Sequence, residues 1–260
     1  MGNTRTVGRL GMMAVGLGFG AALAASSAGI AWADPANSSL IDAVDQLASA
    51  AAAAPAPSTD NFAVSFDGIS LMQEGNAIAL STPGQFGLAI AEGDGSQAIS
   101  TGFLDSAIAG GTGTTASATG SFDSASALGD GSEATAGTSA SDVGDTASAY
   151  GIGTTATSGV GSYDSASVNG ATGDTAVAAG GNNDSASIVA TLGHEVATAG
   201  GGNADIAQIF YGAAGSTADA GTGNYDWAAD LGYLSQEALH ASAQGANFLV
   251  DIEPMLTSLF

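Results

Sequence analysis

"FDSASAL" (122–128), "YDSASVN" (163–169) and "NDSASIV" (183–189) are close to one phrase written three times. Aligning the chain on the central alanine of that phrase exposes a longer series. It runs through Ala98, Ala107, Ala116, Ala125, Ala134, Ala147, Ala156, Ala166, Ala176, Ala186, Val196, Ala207, Ala218 and Ala228. The spacing is 9 to 11 residues, with one step of 13 at the "SASDVG" insertion. Two residues on, the position is again small or apolar (Ala127, Ala149, Val168, Ala178, Ile188, Ile209), while Ser126, Ser148, Ser167 and Gln208 fall between. Apolar–polar alternation over so few residues predicts a short strand with one face inward, and the glycines between rungs supply turns.

A second regularity sets the full period. Two residues before every other anchor stands an aspartate: Asp105, Asp123, Asp145, Asp164, Asp184, Asp205 and Asp226. The intervening rungs carry Thr114, Ser132, Thr154, Asp174, His194 and Ser216 there. One coil is therefore two rungs, with two inequivalent edges. The fold class expected is all-β, a parallel β-solenoid with two short strands per coil. Alanine dominates the inward positions, so backbone ladders must carry much of its stability. The bulky apolar residues gather at the two ends, in "NFAVSFDGISLM" (61–72) and from Asp226 onward, where a solenoid needs its edges covered. The repeat region spans 61–228, and residues 229–260 read as a C-terminal cap, helical over 235–250 and ended by Pro254.

The remaining segments concern compartment. Arg5 and Arg9 are the only cationic residues, and all 25 acidic residues follow from Asp34 onward. Residues 1–33 combine a positive start, the apolar run "GMMAVGLGFGAALAA" and an Ala-Trp-Ala site, the pattern of a signal peptide cleaved before Asp34. The competing reading of that run is an uncleaved membrane anchor; no later stretch is apolar and long enough to span. Removing the segment takes the formal charge of -23 to -25. In "SSLIDAVDQLASAAAA", Leu40, Ile41, Val44 and Leu47 share a helical face, so 34–60 reads as a short helix and a linker broken at "PAPSTD". The acidic surface repels phosphate backbones and anionic lipid, so nucleic acid is not an expected partner and membrane-surface binding is disfavoured. There is no Cys, hence no disulfide and no thiolate chemistry.

The leader "RTVGRLGMMAVGLGFGAALA", the opening "FAVSFDGISLMQEG", the Asp-Ser-Ala-Ser rungs and the ending "LHASAQGANFLVDI" resemble a group of exported, Gly/Ala-rich repetitive proteins of mycobacteria. The composition is similar to the glycine-rich part of PE-PGRS proteins, without their Pro-Glu domain. The resemblance covers nearly the whole chain and implies an exported compartment. No catalytic residue comes with it.

Candidate chemistry centres on the aspartate column. "GGNNDSASI" (180–188) and "GTGNYDWAA" (221–229) are similar to the nonapeptide of calcium-binding β-rolls. Carboxylates one coil apart repel by roughly 1 kcal/mol per pair in water, which a divalent cation would remove. A calcium column along Asp105, Asp123, Asp145, Asp164, Asp184, Asp205 and Asp226 is therefore one expectation. Against it, Asp, Ser and Thr exchange at this position, as a side chain bonding a local backbone N–H in a turn requires. His194 and His240 belong to no ligand-spaced cluster. Phe122, Tyr163 and Tyr225 each precede a repeat aspartate, either as a sugar-binding stripe or as turn packing. "GTTATSG" (153–159) is a single Thr-x-Thr rung of the type used by ice-binding faces. With no cation to neutralise an anionic sugar or an oxyanion, glycan-processing catalysis ranks third. The first expectation is a non-enzymatic protein, secreted or at the cell envelope, that meets a protein or envelope component; the second is a calcium-binding β-roll.

Overall fold

The computed structural model describes residues 61–189, 192–210, 214–221, 223–231, 238–241 and 248–251. The signal segment and the 34–60 helix and linker lie outside them. A hairpin opens the fold, β1 (Phe62–Phe66) and β2 (Ile69–Glu74), followed by β3 (Ile78–Ser81) and β4 (Leu88–Glu92). The coils continue with β5 (Gln97–Ser100), β6 (Ser106–Gly110), β7 (Thr115–Ala118), β8 (Ser124–Leu128) and β9 (Glu133–Ala136). Next come β10 (Thr146–Ile152), β11 (Thr155–Ser158), the two-residue β12 (Gly161–Ser162), β13 (Ser165–Thr172) and β14 (Thr175–Ala178). The rest are β15 (Gly181–Asn182), β16 (Ser185–Val189), β17 (Val196–Ala199), β18 (Ile206–Phe210), β19 (Thr217–Ala220), β20 (Trp227–Asp230), β21 (Ala238–Ala241) and β22 (Phe248–Asp251).

Two parallel sheets face each other. One runs β4-β6-β8-β10-β13-β16-β18-β20-β22 and the other β3-β5-β7-β9-β11-β14-β17-β19-β21. The chain is a β-solenoid with nine stacked strands in each parallel sheet, the architecture the repeat predicts. Register is set by alanine: Ala125, Ala147, Ala166, Ala186, Ala207 and Ala228 pair in series, and each is at most 1 % exposed. The steps range from 18 residues (Ser106 to Ser124) to 22 (Ser124 to Thr146). The longest holds the "SASDVG" insertion, which closes on itself: Asp142 Oδ2 accepts the N–H groups of Thr138 (2.8 Å) and Ser139 (2.9 Å).

Both ends differ in detail from the expectation. At the N-terminal end the alanine columns begin earlier than Ala98, at Ala79 and Ala89. There β1 lies antiparallel on β4, and Val64, Leu88, Ile90 and Ile108 form a second small core. The outer edge of β3 is blunted by side chains. Ser65 Oγ accepts the Ser81 N–H (3.2 Å), and the Gln73 amide donates to the Ala77 carbonyl. At the other end, β21 and all but the last residue of β22 fall inside the stretch read as helical (235–250). Trp227 pairs with Phe248 and Ala218 with Leu239. The exposed sheet edge of the preceding coil favours strand there, and a short apolar run does not distinguish helix from strand by its pattern.

One register assignment needs correction. Ala197, not Val196, occupies the inward column between Ala176 and Ala218; Val196 pairs with Thr175 and Thr217 on the outer face. The residue two places before the anchor is therefore Glu195, and His194 drops out of the column. The variable turn before this rung hides a one-residue slip, which in a strand reverses every side chain.

Candidate functional site

The turn that precedes each strand of the first sheet has a fixed form. The residue before the aspartate adopts left-handed φ: Leu104 (58°), Phe122 (62°), Gly144 (75°), Tyr163 (64°), Asn183 (61°), Ala204 (59°) and Tyr225 (63°). Three residues before the aspartate stands glycine (Gly102, Gly120, Gly161, Gly181, Gly202, Gly223), except at Asp142 in the insertion. This Gly-x-x-Asp unit turns the carboxyl group inward. All seven aspartates of the column are at most 2 % exposed.

Their hydrogen bonds run along the rod. The Asp123 N–H donates to Asp105 Oδ1 (3.0 Å), Asp145 to Asp123 (2.8 Å), Asp164 to Asp145 (2.9 Å) and Asp184 to Asp164 (3.0 Å). Asp205 donates to Asp184 and Asp226 to Asp205, each at 3.0 Å. The expectation of a local turn bond holds at Asp226, whose Oδ2 accepts the Gly223 N–H (3.0 Å), but the bond that recurs down the column serves the next coil, 18 to 22 residues away. The second oxygen of Asp105, Asp123, Asp145, Asp164, Asp184 and Asp205 is buried without a hydrogen-bond partner. Burial drives their pKa values up, to about 6 for Asp105, Asp145 and Asp184, about 7 for Asp164 and about 8 for Asp123. Asp205 shifts the same way for the same reason. The backbone N–H groups oppose the shift, and neighbouring carboxylates add to it at Asp123, where Asp105, Asp145 and Asp142 all contribute.

The opposite edge solves the same problem with hydroxyls. Thr114 Oγ1 donates to the Gly129 carbonyl of the next coil (3.0 Å) and Ser132 Oγ to that of Gly151 (2.8 Å). Farther along, this edge becomes acidic: Asp174 Oδ1 accepts the Glu195 N–H (3.2 Å), and Glu195 Oε1 accepts that of Gly193 (3.2 Å). Both acids are fully buried, and desolvation together with Asp174 raises the pKa of Glu195.

His194 sits at φ 67°, where the other coils have Gly95, Gly113, Gly131, Gly153, Gly173 and Gly215. A left-handed side chain costs about 1–2 kcal/mol, and glycine's extra chain entropy offsets part of that. His194→Gly is expected to stabilise by about 0.5 kcal/mol, read as a later urea midpoint. An earlier midpoint would mean that the ring's packing over Gly173 outweighs the backbone strain.

Several other sequence candidates take their places on the surface. Phe122, Tyr163 and Tyr225 are 47 %, 63 % and 70 % exposed. The rings of Phe86, Phe103 and Phe122 meet edge to face at 6.2 and 5.6 Å, and Tyr163 lies over Gly144, so these aromatics pack along the turn edge. The Thr-x-Thr rung stands alone, since its neighbours are Glu133-x-Thr135 and Thr175-x-Val177, although single threonines recur in both columns. Thr155 and Thr157 stand in register with Thr135, Thr175, Thr198 and Thr217 on the outer face of the second sheet. An asparagine ladder went unread: Asn182 donates to Asn203 (3.0 Å) and Asn203 to Asn224 (2.9 Å). Its signal was asparagine one step before the left-handed residue in three successive coils.

Among the described residues, no three His, Asp or Glu side chains gather so as to hold a metal ion. The stacked aspartates spend one oxygen each on the backbone and do not form a ligand cluster. No helix among the described residues is long and apolar enough to cross a membrane. The chain matches no family model, no curated protein and no solved structure.

Proposed function

We propose that the protein is a secreted or envelope-associated structural and interaction rod without catalytic activity. The observation that carries this reading is the fate of its most repeated chemistry. The aspartates that recur through the sequence are buried and bonded to the next coil, so they specify stacking and present no carboxylate to a substrate. What reaches solvent is a pair of long faces carrying many Ser and Thr side chains, interrupted by residues such as Glu133, Val177 and Val196 and edged with aromatics. Such faces suit contact with a protein or envelope component along the rod's length. The leader and the resemblance to exported repetitive proteins supply the compartment.

Export makes a direct prediction. Protein recovered from culture filtrate is expected to begin at Asp34, as determined by N-terminal sequencing. Recovery of chains still starting at Met1 would replace export of a free rod with an anchored or intracellular one.

A further inference from the structure

We propose that the aspartate column is a proton-binding spine: the folded rod holds its inner aspartates as neutral acids, so that folding takes up protons and the rod is built for an acidic medium. This goes beyond the structural role and does not depend on it.

The geometry comes first. A Cβ placed on Gly102 would meet both Asp105 Oδ2 and the carbonyl oxygen of Gly120 in the next coil. The same pairing recurs at Gly161 (Asp164 Oδ2 with the Gly181 carbonyl), Gly181 (Asp184 with Gly202) and Gly202 (Asp205 with Gly223). Each of these Oδ2 atoms thus shares a slot with a backbone acceptor and makes no hydrogen bond of its own. The Gly102 and Gly202 N–H groups near Asp105 and Asp205 favour the ion but do not outweigh burial. The hydroxyl edge shows what such a slot takes. At Gly111 the same construction brings together Thr114 Oγ1 and the Gly129 carbonyl, and there the side-chain O–H donates. A proton on Oδ2 makes each aspartate the equivalent of that threonine.

Charge leads to the same place. No Lys or Arg follows Arg9, so among the described residues histidine is the only side-chain cation that could pair with the column. One unpaired buried ion costs a large share of a domain's whole stability, and six in a row exceed it. The titratable groups that face the column make ionisation harder. The charge of Asp142 in the insertion acts on Asp123, Asp145 and Asp164 and raises their pKa values, and neighbouring aspartates of the column add to this at Asp123 and Asp164. Asp226 closes the series with its Oδ2 held by the Gly223 N–H (3.0 Å). The opposite edge contributes the buried Asp174 and Glu195, with exposed His194 beside Gly173. The Tyr163 and Tyr225 side chains face solvent.

An unfolded aspartate titrates near 3.9. Burial moves Asp105, Asp123, Asp145, Asp164 and Asp184 to between about 6 and about 8, and shifts Asp205 in the same direction. Between those limits the native state binds more protons than the unfolded chain, so stability is complete below about pH 4 and falls as pH rises toward 8. Melting of the purified protein by far-UV circular dichroism is expected about 10 °C lower or more at about pH 8 than at about pH 5. Refolding near pH 7 in weak buffer is expected to take up about two or more protons per chain. Asp164→Asn keeps the acceptor for the Asp184 N–H and places an N–H donor in the slot. It is expected to raise the melting temperature at about pH 8 and to leave it unchanged or lower at about pH 5. Should that variant fail to fold, proton uptake by the parent protein decides. A melting temperature that rises with pH, or refolding without proton uptake, overturns the proposal. So does a rod at about pH 8 that melts when calcium is chelated, because a cation would then occupy the place assigned to the proton.

Discussion

Gly202→Ala is expected to unfold the C-terminal coils, at a cost above about 3 kcal/mol. A Cβ there would lie far inside contact distance of the Gly223 carbonyl and 2.9 Å from Asp205 Oδ2. The obstacle is backbone, which cannot swing aside. To make room, the coils must separate where the Asp226 N–H meets Asp205 Oδ1 (3.0 Å), the Tyr225 N–H meets the Asn203 carbonyl (2.9 Å) and the Ile206 N–H meets the Asp226 carbonyl (2.8 Å). Each broken bond forfeits about 1 kcal/mol, on top of the overpacking. Gly153→Ala is the matched control. Its φ is 61° and nothing lies within 4 Å of the added carbon, so only the left-handed backbone is penalised, by about 1 kcal/mol. Because each coil contacts only its neighbours, the Gly202 variant should lose its C-terminal rungs to limited proteolysis before the rest. Equal midpoints for the two variants would show that the coils are not stacked this closely at that edge.

The sequence made the coil period, the inward alanines and the aspartate edge legible because each obeys a fixed spacing within one rung. Ala166 and Val168 alternate with Ser167, and burial follows that alternation there. What stayed hidden depends on contacts between coils. The partner of Asp164 Oδ1 is the Asp184 N–H, a residue 20 places away that no local turn rule can name. The slip at Val196 has a similar origin. Only the neighbouring strands decide whether residue 196 or 197 faces inward, and a turn of variable length carries no signal for it. Helix-like spacing in "SQEALHASAQGANFLV" misled for a third reason. The rung above offers unpaired backbone groups, and stacking on them outweighs propensity. At the aspartates themselves the sequence displayed the residues and concealed their burial, because an acidic side chain is read as exposed unless a cation stands near.

Ala166→Phe is expected to cost more than about 3 kcal/mol, while Ser167→Leu changes stability by about 0.5 kcal/mol or less. Ala166 is fully buried, flanked in register by Ala147 and Ala186, and the facing sheet presents alanines such as Ala156 and Ala176. In register with Ala166 the core offers only methyl groups, so no larger side chain stands in that column to yield. The added ring must push the sheets apart or distort the ladder on both sides, and the disturbance enters two coil interfaces at once. Ser167 stands on the outer face between Ser148 and Ser187, where a leucine adds apolar area without meeting backbone. The corrected rung gives the sharper test of the same logic. Ala197→Phe should be as damaging as Ala166→Phe, and Val196→Ser nearly silent, since Val196 lies between Thr175 and Thr217. Urea midpoints for the four variants check both rungs together. Were Val196 the sensitive position, the inward column would pass through it, Glu195 would turn outward, and the buried acidic pair with Asp174 would not exist.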